Sequence, residues 1–174
     1  MLFRSQVLRD VSADLADLYG ITEKEMAEAI RGIYAAHGCS GVSFPPICGF
    51  GAHAADPHHD NDDTPLEAGQ CVLIDVGGVY QDYCSDMTRT FFTGEPSEEE
   101  RKVYELVRQA QAAAEALVKP GVRLCDIDAA ARDLITEAGY GPYFNHRLGH
   151  FIGLEDHEAG DVSAVNENVV TPGM

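Results

Sequence analysis

The sequence predicts an α+β domain, and three observations carry that expectation. Apolar residues recur at three-to-four-residue spacing in four separate stretches, which is the period of a helix with one buried face. Residues 71 to 92, CVLIDVGGVYQDYCSDMTRTFF, read instead as two strand-like apolar runs joined by a short polar turn. The order helix, irregular strand, hairpin is then echoed by two helices and a histidine-bearing segment, as in a domain built of two similar halves with the second unfinished.

Val7, Leu8, Val11, Leu15 and Leu18 place the first helix over 6 to 19, with Gly20 as its stop. The five residues before it, MLFRS, carry no cap and are expected to be non-native, so the domain is expected to run from 6 to 174; a genomic read encoding MLFRS in frame would overturn that. Thr22 with Glu25 forms a capping box that opens a second helix through Met26, Ile30, Ile33 and Tyr34 to Gly38. Pro45 and Pro46 confine GVSFPPICGFG to an edge or irregular strand. The polar loop that follows holds His53, His58 and His59, and a loop of that length is more often functional than decorative. After the hairpin, Ser97 and Glu100 make another capping box. That helix is expected to bury Val103, Leu106, Val107, Ala110 and Ala114 and to stop at Pro120-Gly121. A fourth helix over 124 to 138 turns Ile127, Ala131, Leu134 and Ile135 inward and ends at Gly139. His146 and His150 are four apart, but Gly149 and Gly153 argue against a regular helix there.

Composition removes several function classes. With 29 acidic against 12 basic side chains the formal charge is −17, which leaves no electrostatic footprint for a nucleic-acid backbone or an anionic membrane surface. Five irregularly spaced cysteines with no CxxC pair suggest neither a disulfide framework nor a zinc-thiolate site, so a reducing, cytoplasmic compartment is the expectation. No stretch has the length of a membrane span, and the N-terminus lacks the apolar core of a signal peptide.

Two acids stand out against this background. Asp75 interrupts Val72, Leu73, Ile74 and Val76, and a buried unpaired carboxylate is heavily penalised. If the hairpin turns near Tyr80 and Gln81, Asp86 faces Asp75 directly, with Cβ atoms roughly 5 Å apart. Like charges so placed need a cation between them or a shared proton. Together with His58, His146, His150 and His157 they are the materials of a divalent-metal site. His37, His53 and His59 read as ordinary surface or hydrogen-bonded histidines.

The hairpin LIDVGGVYQDYCSDMTRTFF, the loop GAHAADPHH and above all HRLGHFIGLEDHE resemble the metallopeptidases of the methionine aminopeptidase, aminopeptidase P and prolidase clan. The likeness runs from the first helix to TPGM, and HRLGH…GL…HE is closer to the Xaa-Pro enzymes than to the methionine aminopeptidases. It implies the pita-bread fold, an antiparallel sheet with flanking helices, and two divalent metal ions, manganese first, with cobalt or zinc as alternatives. It also implies roles: Asp75 chelates one metal, Asp86 bridges both and His150 binds the other. His58 contacts substrate near the scissile bond, His157 stabilises the developing oxyanion, and His146 lines the proline side of the pocket. The implied reaction is attack of a metal-activated water on the carbonyl preceding proline in a peptide substrate. The resemblance leaves oligomeric state open, with a homodimer common in the family.

The chain also departs from the pattern. The family completes its site with two glutamates on strands after TPGM, so the C-terminal strands and two of five metal ligands are expected to be missing here, and the 174-residue chain is expected to bind metal weakly and turn over little. Asp82 stands where the family often has glycine before the tyrosine of the second strand. Two alternatives share the scaffold. A creatinase-type hydrolase works without metal and has no need of facing acids, and a non-catalytic peptide- or protein-binding module is expected to have lost metal residues by substitution.

Overall fold

The computed structural model describes residues 15 to 174. The helix expected over 6 to 19 and the five residues MLFRS lie largely or wholly outside that range. Its described end, Leu15–Leu18, is a short 3-10 turn followed by Gly20 at φ +90°. The described residues divide into two compact units, one of residues 15 to 96 with 152 to 156, the other of residues 97 to 151 with 157 to 174.

The first unit is a helix on a sheet. Helix α1, Glu23–Ala36, opens at the capping box: the Thr22 side chain accepts from the Glu25 N–H while the Glu25 carboxylate accepts from the Thr22 N–H. Strands β1 (Gly41–Val42), β2 (Ile47–Phe50), β3 (Cys71–Val76), β4 (Gly78–Val79) and β5 (Met87–Phe92) follow. They pair antiparallel as β1 with β4 and as a three-stranded sheet in the order β2, β3, β5. β2 is an edge, as its preceding prolines require. In β3 the strand period puts Val72, Ile74 and Val76 in the core with Met26, Ala27, Ile30 and Tyr34 of α1. Each such apolar side chain contributes about 1.5–3 kcal/mol by leaving water. Cys71, Leu73 and Asp75 take the other face.

The register corrects one expectation. Asp75 pairs with Thr88, not with Asp86, because the hairpin turns at Gln81 and Asp82 rather than at Tyr80 and Gln81. Both turn residues have positive φ, 50° and 66°, the pattern of a two-residue hairpin whose twist matches its strands. The slip is of two residues, so it preserves the face. Asp86, two before Thr88, is a diagonal neighbour of Asp75, a relation that typically separates Cα atoms by roughly 7–8 Å. Gly77 permits the close approach of the strands here: a Cβ on it would lie 1.9 Å from the Ser85 carbonyl oxygen.

The second unit packs two helices against a small ribbon. Helix α2, Glu98–Leu117, starts at the Ser97 capping box, and α3, Leu124–Glu137, ends before Gly139 at φ +91°. Ala110 and Ala114 of α2 meet Leu124, Ile127, Ala131 and Ile135 of α3. Val107 and Leu134, expected inward, are 53% and 37% exposed, since each lies one position round the helix from the packed face. Strands β6 (Gly149–Phe151) and β7 (Glu158–Val162) pair antiparallel with an irregularity between His150 and Phe151. That agrees with the absence of a helix at His146 and His150. Among the described residues no helix is long and apolar enough to cross a membrane.

Candidate metal centre

Asp75 sits on the central strand of its sheet, between Ile47 on β2 and Thr88 on β5. The Thr88 hydroxyl donates to Asp75 Oδ1 at 2.6 Å, which orients the carboxylate from directly across the ladder. Asp86 immediately precedes β5 and is half-buried, as Asp75 is. Ser85 fixes the backbone entering Asp86. Its N–H donates to the Ser43 hydroxyl, and its own hydroxyl donates to the Gly78 carbonyl at 3.0 Å. The sheet therefore holds two half-buried carboxylates on one face, which is an oxygen donor set suited to a divalent cation.

His58 belongs to the same unit. It is exposed, in the loop after a 3-10 turn at Gly51–Ala55, and its N–H donates to Asp56 Oδ1 at 2.9 Å. That bond closes a tight Asx turn around Pro57.

In the second unit the ribbon brings His150 and His157 together, with ring centroids 4.1 Å apart. The two histidines flank the Phe151–Glu158 pair, one from each side of the antiparallel ribbon, which sets them diagonally across it. His150 Nδ1 lies 3.1 Å from the Phe151 carbonyl oxygen, which can only accept. As the donor in that contact Nδ1 carries the proton, which in the neutral ring leaves Nε2 as the nitrogen able to accept. His146 is exposed, and its Nδ1 contacts the Arg147 carbonyl at 3.1 Å in the same way.

What carries the His146 segment was not visible in the sequence. Asp128, fully buried on α3, takes Arg132 Nε at 2.6 Å and Nη2 at 2.9 Å. Arg132 in turn donates to the carbonyls of Phe144 and His146, and its guanidinium stacks 4.3 Å over the Phe144 ring. The Asp128 carboxylate beside it pushes the Arg132 guanidinium further up. Removing one partner of such a buried pair leaves an uncompensated charge, so the two act as one clamp on residues 144 to 148.

The first unit has a matching device. Glu23, at the first position of α1, is fully buried, and its carboxylate accepts from the backbone N–H groups of Phe50 and Asp62. Its two oxygens also meet His53 Nδ1 at 2.9 Å and His59 Nε2 at 2.6 Å. Hydrogen bonding to Glu23 raises the His53 pKa above the ordinary imidazole value. In the sequence Glu23 looked like one more acid in a helical first turn. Only a reader asking why Glu directly follows an N-cap threonine could have suspected a second task for it.

Residues 3–174 match the sequence profile of metallopeptidase family M24. The chain is 46% identical over 155 residues to an uncharacterized peptidase of Staphylococcus aureus (strain MSSA476), a match covering 89% of this chain and 44% of that relative. Among solved structures it is similar to a prolidase from Thermococcus sibiricus, with TM-score 0.95 and 38% identity over 99% of this chain and 47% of the other. It is also similar to the Xaa-Pro dipeptidase of Bacillus anthracis, with TM-score 0.90 and 35% identity over 99% of this chain and 47% of the other. The chain thus spans a little under half the length of these relatives.

Proposed function

The chain belongs to metallopeptidase family M24 and has its pita-bread fold, and from that premise we propose that it serves metal-dependent hydrolysis of the peptide bond preceding proline. The observation that carries this reading is the pair of half-buried carboxylates on one face of the β3–β5 sheet, Asp75 held from across the ladder by Thr88. In this reading Asp75, Asp86 and the Nε2 of His150 are metal ligands. Two carboxylates and one imidazole fit manganese, cobalt or zinc. When bound, such ions supply Lewis acidity and bring the pKa of water towards neutrality.

The remaining roles fall to side chains of the chain. His58, on its tight turn, touches the substrate near the scissile bond. His157 donates to the oxygen that becomes negative as the carbonyl turns tetrahedral. The clamp of Asp128 and Arg132 holds the backbone on which His146 lines the proline side. A proline-containing peptide is the substrate in this reading, and the cytoplasm its place, on the cysteine pattern.

The proposal is tested by hydrolysis of Xaa-Pro dipeptides and of a longer Xaa-Pro peptide, each against its Xaa-Ala counterpart, by the product of the complete reading frame with manganese. Cleavage confined to the proline substrates is expected. His157→Ala is expected to lower kcat roughly 10²–10³-fold, the usual effect of removing one oxyanion donor. Equal cleavage of Xaa-Ala peptides would remove the proline specificity. Full turnover after Asp86→Asn would remove the metal assignment.

A further inference from the structure

Among the described residues, one group of three side chains offers cation-ligating atoms within 4.8 Å of one another, and it uses none of the residues assigned above: Glu23, His53 and His59. Its geometry is built rather than incidental. The Glu23 side chain has no exposure, and each of its oxygens takes one backbone N–H, from Phe50 at 2.9 Å and from Asp62 at 3.1 Å. A carboxylate oxygen has two acceptor directions, so one remains on each. Those two directions meet His53 Nδ1 and His59 Nε2. The two rings stack with centroids 4.2 Å apart and planes 30° apart, so both nitrogens are presented to the one carboxylate.

Two fillings satisfy these atoms: a proton on each nitrogen, or one cation shared by all three groups. The first is met by two neutral rings, with the proton of His53 on Nδ1 and that of His59 on Nε2, each donating to Glu23. A divalent cation needs both imidazoles neutral, and it sits beside the only negative charge of the trio. We propose that Glu23, His53 and His59 form a binding site for a zinc-class divalent cation. One carboxylate with two imidazoles is a ligand set that suits zinc better than magnesium or calcium. Ligand atoms about 2.0–2.1 Å from a tetrahedral zinc stand roughly 3.3 Å from each other, so the His53 contact of 2.9 Å must open by about 0.4 Å and the His59 contact of 2.6 Å by about 0.7 Å. His53, with its side chain 35% exposed, has room to do so. Asp56 and Asp62 add negative potential at His53, and the chain as a whole carries −17. Bound there, the ion would tie the first turn of α1 to the loop at both 53 and 59, the two ends of the stretch that contains His58.

The test uses the whole 174-residue chain with Asp75→Asn and Asp86→Asn, so that both carboxylates of the proposed peptidase site are absent and the two readings can fail separately. The metal-stripped protein is titrated with zinc chloride against a chromophoric chelator. One zinc per chain is expected, with zinc-edge X-ray absorption reporting two imidazoles in its shell. Adding His53→Gln with His59→Gln is expected to weaken binding at least 100-fold. His53→Gln alone, at a partly exposed side chain, is expected to weaken it about tenfold without loss of fold. Failure of the chain lacking Asp75 and Asp86 to bind zinc overturns the proposal. So does binding unchanged by the histidine substitutions, or a bound zinc with no imidazole in its shell.

Discussion

Cys48 and Asp82 show how single positions report the fold. Burial, and secondarily the negative charge of Glu23, push the Cys48 thiol up to about 12, so almost no thiolate exists at neutral pH. Alkylation of Cys48 in the native chain at pH 8 is expected to be at least a hundredfold slower than in guanidinium; equal rates would place the residue outside the core. Asp82 carries a φ of 66°, a conformation that costs a residue with a Cβ roughly 1 kcal/mol and costs glycine nothing. Asp82→Gly is accordingly expected to raise stability by about 0.5–1 kcal/mol, read as a higher urea midpoint at unchanged slope. A lower midpoint would mean that the Asp82 side chain stabilises the turn by more than its backbone costs. The sequence flagged this position by its departure from glycine, but the physical cost became visible only with the turn.

The helices were the most legible elements. Both capping boxes lie within four consecutive residues, so Thr22 with Glu25 and Ser97 with Glu100 needed no tertiary knowledge. Ser97→Ala is expected to cost about 1 kcal/mol in a denaturant titration. Hydrogen bonds from Ser97 hold the Glu100 carboxylate below its ordinary pKa. The folded value is the lower one, so this stabilisation is complete above the unfolded pKa and is lost as pH falls through the folded value. Glu100→Gln is therefore expected to flatten the acid dependence of Tm below about pH 4.5; an unchanged profile would show that the box is not formed in solution. The hairpin was legible in its strands and its face but not in its register. The apolar pattern fixes the parity of a strand, whereas the turn fixes which residues meet, and Tyr80 to Asp82 carry no Gly or Asn to mark the corner.

At the scale of the molecule, each unit uses the same device. A fully buried helix carboxylate, Glu23 in one and Asp128 in the other, reaches a histidine-bearing segment and satisfies its backbone. The sequence could not show this, because the contacts join residues 20 to 39 positions apart and each acid looks like helix surface until the chain is folded. The proposed metal ligands were read from residue identity and order alone, in a chain whose residues 3–174 match family M24. The central claim is that Asp75 and Asp86 are built to hold metal. It is tested most directly by titrating the metal-stripped 174-residue chain with manganese, followed by the loss of the free-ion electron paramagnetic resonance signal. The account predicts weak but saturable binding that Asp86→Asn lowers at least tenfold and that His53→Gln with His59→Gln leaves within twofold. Manganese binding that survives Asp86→Asn, or that vanishes with the two histidines instead, would contradict it.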